Sequence, residues 1–246
     1  MKKLKKRKVK KEVVQVATVS MSEVAKTAKQ PKKKRKTYIN IEEFLKNNDV
    51  ALTNGLLPAV FPYLDKMGYS DALMNQKLAE NEGVHGLYVA QQKALGKRNG
   101  ATNNLKQWKA SCHKTYIDHI AMARMAFADD IAADVALGLK GARKAKAELY
   151  IAQAKQFYNG VLDHPAYAAI LSKRGMDNAT LTSSLANIDQ LEKLLQLQQQ
   201  AKGDAQAATK ALKAGRKTLQ QWMTEFKKFA VIALKDQPGL LTMLGY

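Results

Sequence analysis

Cys112-His113 sets a thiol beside an imidazole, and a thiol activated by a base is a common nucleophile. Neighbouring helix positions point about 100° apart, however, so the two side chains would diverge. Cys112 instead shares the spacing of an apolar stripe and reads as packing. Glu82-Gly83-Val84-His85 has the Glu-x-x-His spacing of helical di-iron centres, which need a second such motif and two more glutamates. His113, His119 and His164 have no Glu three residues before them. Asp118-His119 and the group Asp129, Asp130 and Asp134 could add oxygen ligands, but the set is incomplete, so no metal or other cofactor is expected. With Cys112 the only cysteine, an intramolecular disulfide and a Cys-based zinc site are excluded, and a reducing compartment fits. No glycine-rich phosphate loop follows a strand, and neither paired catalytic carboxylates with a pocket nor a serine elbow appear. The reading is a non-enzyme with no small-molecule substrate.

The chemistry that stands out is cationic. Lys2, Lys3, Lys5, Lys6, Arg7, Lys8, Lys10 and Lys11 open the chain, and Lys32, Lys33, Lys34, Arg35 and Lys36 follow Pro31. Residues 1–36 hold 15 of the 41 Lys and Arg but only Glu12 and Glu23 of the 21 acids, and so carry 13 of the formal +20. Such clusters neutralise phosphates and release counterions, giving affinity that falls steeply with salt. No aromatic residue precedes Tyr38, and Arg, Asn and Gln are scarce, so binding should follow the nucleic-acid backbone and tolerate sequence. DNA or RNA is the expected partner, and an anionic membrane or another polyanion is the alternative. Val13–Val19 is too short and polar for a signal peptide core, and its apolar face is meagre for membrane anchoring. Pro31–Lys36 would serve as a nuclear import signal in a eukaryote. No run approaches the ~18 apolar residues of a membrane span, so a cytoplasmic protein is expected.

Residues 37–246 must supply the support. They are rich in Ala, Leu, Gln and Lys, with Gly and Pro at breaks in helical periodicity. Asn40-Ile41-Glu42-Glu43 has capping-box spacing for a helix to about Asn48. Pro58 and Pro62 break residues 51–68, and Ser70 caps a helix to about Leu95. Lys97–Ala101 reads as a loop before a helix from Thr102 or Asn103 to Leu139. Leu105, Trp108, Cys112, Thr115, His119, Met122 and Ala126 lie on one face of it, with Ile120, Phe127, Ile131 and Val135 as a second stripe. After Gly138 and Gly141, a helix carries Leu149, Tyr150, Phe157 and Val161 up to His164-Pro165, and a short continuation ends at Gly175. Asp177 or Thr180 opens a helix to Lys202, with Gly203-Asp204 as the break. Ala208, Leu212, Leu219, Trp222, Phe226, Phe229 and Ala233 give the last helix a heptad-like seam, and Pro238 precedes an apolar cap at Leu240–Leu244. Lys210, Lys213, Lys217, Gln221 and Lys228 fall opposite that seam, with Arg143, Lys144 and Lys146 before the preceding hairpin. They read as a solvated face, or as a groove continuing the phosphate contacts.

Phe157-Tyr158-Asn159, Asp163-His164-Pro165-Ala166, Arg174-Gly175, Ala201–Thr209 and Leu219–Phe226, followed by Ile232–Leu241 and a close near Leu244-Gly245, resemble a group of uncharacterised bacterial helical proteins. The resemblance covers about residues 70–246 and implies a bacterial helical bundle without an assigned activity. The basic arm lies outside it. The expected architecture is all-α: a disordered, flexible Lys-rich arm over residues 1–37, then a mostly antiparallel, up-and-down bundle of four to five helices over residues 38–246. The expected function is non-enzymatic, sequence-tolerant binding of DNA or RNA, placing the protein near nucleoid or RNA. The alternative is a scaffold bundle that forms homo-oligomers, with the arm as an electrostatic tether.

Overall fold

The computed structural model describes residues 40–246, so the arm and its thirteen candidate phosphate-binding side chains lie outside the described residues. From Asn40 onward the chain forms helices α1 (Ile41–Gly55), α2 (Phe61–Asp65), α3 (Asp71–Ala126) and α4 (Ile131–Ala136), then α5 (Ala147–Leu162), α6 (Pro165–Ser172), α7 (Asn178–Ala233) and α8 (Pro238–Met243), with no strand among the described residues. The all-α antiparallel bundle is therefore what this sequence makes.

Its frame is a hairpin of two 56-residue helices, α3 and α7, each about 84 Å long at 1.5 Å per residue. On α7 the buried positions Leu181, Ser184, Ile188, Leu191 and Leu195 are followed by Ala205, Leu212, Leu219, Met223, Phe226 and Ala230. These fall in steps of three, four or seven, with one of ten from Leu195 to Ala205 (a heptad plus three) that keeps the same phase, the pattern that holds one seam facing a partner helix. The partner is α3, and the order of contacts is antiparallel: Gln91 Nε2 donates to Thr209 Oγ1 at 3.3 Å, and Trp108 Nε1 to the Asn187 carbonyl at 3.0 Å. Ser70 Oγ accepts from Leu73 N at 3.4 Å to open α3, and Asp177 Oδ1 accepts from Thr180 N at 2.7 Å to open α7.

Each end of the hairpin carries its own core. At one end α1, α2 and α8 bury Leu52, Leu64, Met74, Phe226 and Leu244. α1 lies antiparallel to α3, with Tyr88 Oη donating to Glu42 at 2.9 Å and Asn81 Nδ2 to the Leu45 carbonyl at 3.1 Å. At the other end α5 and α6 bury Tyr116, Tyr150, Phe157, Leu171 and Leu191. α5 lies antiparallel to α7, and Lys155 Nζ pairs with Asp189 at 2.8 Å and Glu192 at 2.7 Å.

Both expected breaks in the shaft are absent. Residues 97–101 and Gly203-Asp204 are helical, because a mid-helix glycine costs only about 1 kcal/mol and the seam runs on through both places. α1 reaches Gly55 rather than Asn48, and Asn40 makes no side-chain cap there; its backbone carbonyl accepts from Phe44 N at 2.9 Å instead. α3 stops at Ala126, not Leu139, and Asp130 starts a new turn by accepting from Ala133 N at 2.9 Å. Ile131 and Val135 are consequently exposed rather than part of a second stripe. On α7 the seam is rotated by one residue near its end, burying Met223 and Ala230 and leaving Phe229 exposed. Leu240–Leu244 folds back as expected, with Leu244 fully buried.

Candidate nucleic-acid interface

The three constellations that suggested other chemistry come apart in three dimensions. Cys112 Sγ faces the Asn187 carbonyl at 3.7 Å, while the ring of His113 leans on Tyr150 with centroids 5.7 Å apart. Burial pushes the Cys112 thiol above its ordinary pKa, away from the thiolate that a nucleophile needs. A cavity of about 90 Å³ beside it is lined by Trp108, Ser111, Thr115, Tyr158 and Ser184. His119 Nδ1 meets Tyr158 Oη at 3.2 Å inside the core, and burial holds this imidazole below its ordinary pKa against the weaker pull of Asp118. Glu82 and His85 are both exposed on α3, and among the described residues no three His, Cys, Asp or Glu side chains are grouped to hold a metal.

The shaft, by contrast, concentrates one kind of charge. Between Glu82 and Asp118, α3 has no acid but carries Lys93, Lys97, Arg98, Lys106, Lys109 and Lys114. From residue 193 to 224, α7 carries Lys193, Lys202, Lys210, Lys213, Arg216 and Lys217 against Asp204 alone. Twelve bases thus face one acid on the shaft, and the rest of residues 37–246 holds fourteen bases and eighteen acids. The body has a basic waist between two acidic ends. Lys210, Lys213, Lys217, Gln221 and Lys228 are all exposed, as the spacing of the last helix required. Lys93, Lys97, Lys106 and Lys202 are exposed as well. Sequence reasoning passed over them because the two absent breaks seemed to divide them among separate helices; the acid-free run between Glu82 and Asp118 was the available signal.

Arg143 does not join this surface, because its guanidinium is occupied inside the fold. One terminal nitrogen donates to Tyr116 Oη at 3.0 Å and the Gly138 carbonyl at 3.1 Å. The other donates to the carbonyls of Leu139 at 3.2 Å, Lys140 at 3.1 Å and Gly141 at 3.1 Å. Arg124 closes the same loop from α3, donating to Leu139 O at 2.7 Å and Gly141 O at 2.8 Å. Lys144 and Lys146 remain exposed just before α5.

The third helices at the two ends use the same strip of the hairpin. On α7, Glu192 and Gln199 meet α5, and Gln220 and Lys227 line a cleft with Phe44 and Asn47 of α1. Between them on the same heptad position stand Gln206 and Lys213. On α3 the matching strip runs from Asn81 and Tyr88 beneath α1, through Leu95, to Lys109 and Tyr116, which bond the carbonyls of Ala145 and Gln153. α1 begins level with Tyr88 and the chain entering α5 level with Lys109, which leaves a saddle about 30 Å long over the bare hairpin. Its floor is a groove of about 310 Å³ lined by Leu95, Arg98, Ala205, Gln206, Thr209, Lys210 and Lys213. Comparison with protein-family models, curated proteins and solved structures finds no match for the chain.

Proposed function

We propose that this protein binds DNA or RNA without catalysing a reaction and with little regard to sequence, through the basic arm of residues 1–36 and the basic waist of the bundle acting together. The observation that carries this reading is the charge segregation on the shaft, twelve bases against one acid over helices whose ends are net acidic. Charge collected in this way costs self-repulsion in the free protein and is offset by a polyanion. The arm adds thirteen further positive charges at the N-terminal side of Asn40. Together with the resemblance to bacterial helical proteins, this reading makes the chain a cytoplasmic protein associated with the nucleoid or with RNA. No described helix is long and apolar enough to cross a membrane.

The test is binding of mixed-sequence DNA and RNA over a range of salt, with the full chain and with residues 1–36 deleted. The expected result is a steep linear fall of log affinity with log salt, a shallower slope after deletion, and residual binding by the body. Absence of binding to either polymer at ~50 mM salt overturns the proposal.

A scaffold role is the second reading, and a different surface favours it. At the α3 end of the hairpin Met125, Ile131 and Val135 are 66%, 76% and 69% exposed, an apolar group suited to self-association. Discrete oligomers in light scattering that disappear in I131E/V135E, together with no nucleic-acid binding, would favour the scaffold.

A further inference from the structure

The waist, read as a nucleic-acid surface, has a shape as well as a charge. We infer that the saddle between α1 and α5 is a seat for the sugar–phosphate backbone of a double-stranded nucleic acid, an inference that rests on the nucleic-acid reading above. Lys202, Gln206, Lys210 and Lys213 step along α7 by four, four and three, so they form one row over the open strip, and Lys217 continues the row beside α1, where Arg216 lies over the Phe44 ring at 5.1 Å. Across the groove stand Arg98 and Lys106 of α3, and Lys144 and Lys146 mark the rim at α5. None of these lysines forms an ion pair among the described residues. Of the acids at the two rims of the saddle, Glu42 accepts from Tyr88 at 2.9 Å and Glu148 from Gln199 at 3.4 Å, while Glu43 is exposed in the first turn of α1. Asp204 shares its heptad position with Ala211 and Thr218, on the opposite flank of α7 from the lysine row.

The saddle selects a duplex over a single strand because of what its floor lacks. Proteins that hold single strands combine cations with aromatic side chains on which bases stack, worth about 1–3 kcal/mol per base. Here Tyr88 is half-buried and bonded to Glu42, and Trp108 lies on the other flank, bonded to the Asn187 carbonyl. The floor offers Leu95, Gln206 and Thr209 between cations, so phosphates are its only strong target. A duplex presents one phosphate charge per ~1.7 Å of axis, and one turn spans ~34 Å, close to the length of the saddle. The rigid pair of helices holds its cations at fixed separations, which suits a stiff duplex better than a strand that must be ordered to fit.

The experiment compares three full-length chains: the natural one, the saddle variant K202Q/K210Q/K213Q, and a variant with equal charge loss on the far side of α3, K93Q/K97Q/K114Q. All six positions are exposed and helical, and Gln is a good helix former, so the helical signal and melting temperature should stay constant. Each is titrated with a mixed-sequence 20-base-pair DNA duplex and with one of its single strands at several salt concentrations. The saddle variant should lose about 2.7 from its salt slope for the duplex, and ~10-fold or more in affinity near 0.15 M salt. The far-side variant should lose less than about a third of that slope. If the natural chain binds neither polymer, the nucleic-acid reading itself fails. Should it bind while both variants weaken equally, the charge is diffuse and the saddle is no seat. Equal or tighter binding of the single strand, lost in the saddle variant, would overturn the choice of duplex.

Discussion

Replacing Arg143 separates a structural cation from a phosphate-binding one. Its guanidinium donates to Tyr116 Oη and to the carbonyls of Gly138, Leu139, Lys140 and Gly141, all within 3.2 Å. Those carbonyls belong to the segment that returns along α3 from α4 to α5, where Leu137 and Leu139 are buried against the core. Removing the fork takes the donor from Tyr116 Oη, on a fully buried side chain that still donates to the Gln153 carbonyl at 3.2 Å. A hydrogen bond from a charged group contributes about 1.5–3 kcal/mol, and the several bonds of one half-buried side chain are not additive. Arg124 still holds Leu139 and Gly141. The expected loss for R143Q is therefore about 2–3 kcal/mol, or roughly 4–12 °C in melting temperature for a body of this size. Lysine keeps the charge but not the planar fork, so R143K should lose nearly as much. The assay pairs thermal unfolding, followed by helical circular dichroism, with the salt dependence of duplex binding. Both variants should melt early and keep the natural salt slope at temperatures where they are folded. An R143Q chain that melts like the natural one but loses about one unit of salt slope, restored in R143K, would refute the reasoning and return Arg143 to the phosphate surface.

Other perturbations address the shaft and its ends. Gly100 and Gly203 are helical with nothing within 4 Å of an added Cβ, so G100A/G203A should raise stability by about 1–2 kcal/mol in urea unfolding, and a decrease would contradict the continuous helices. Gly55 is the reverse case: a Cβ there would sit 2.6 Å from Met74 Cε and 3.2 Å from Leu64 Cδ1, and G55A should cost about 1–3 kcal/mol by the same assay. His119 is held below its ordinary pKa by burial, so as the pH falls through about 6.5 the unfolded chain takes up the proton before the folded one. Stability is thereby lost toward acid, at no more than about 1.4 kcal/mol per pH unit from this group, and the difference between natural and H119Q chains in urea midpoints at pH 7.5 and 5 should show it. Parallel midpoints at both values would remove His119 from the account.

The frame was legible where sequence signals act locally, and misread where they compete. Ser70 announces α3 because a short polar side chain before an apolar run can cap it, and of the two candidates Asp177 and Thr180 it is Asp177 that caps α7. Lys97–Ala101 and Gly203-Asp204 look like breaks because glycine is a poor helix former, yet the seam on either side keeps the same heptad phase through both. Phase across a suspected break carries more information than the residues within it. Asn40 shows the converse: capping-box spacing is present, but the side chain makes no cap, since the first turn is fixed by Phe44 and Leu45 packing into the core. The Arg124 and Arg143 clamp could not be read at all, because it joins side chains to backbone carbonyls whose positions depend on the path of residues 137–146. Arg143 and Lys144 carry the same charge at adjacent positions, and no local spacing says that the first turns inward while Lys144 stays in solvent.

The missing breaks bear directly on function. Were α3 and α7 each divided in two, Lys93–Lys114 and Lys202–Lys217 would sit on four helices with four independent directions. Continuous antiparallel helices instead set the two stretches side by side at one level, as the contacts Gln91–Thr209 and Trp108–Asn187 require. The seam pays for this arrangement: between Val84 and Tyr116, α3 has no fully buried residue, and the layers there include Gln91, Arg98 and Thr209 in place of leucines. The waist therefore combines a stretch of α3 without fully buried residues and a surplus of like charge, two costs that a bundle built for stability alone would not place together. On the proposed nucleic-acid reading, a polyanion lying over the saddle would ease both, by neutralising the lysines and covering the exposed groove.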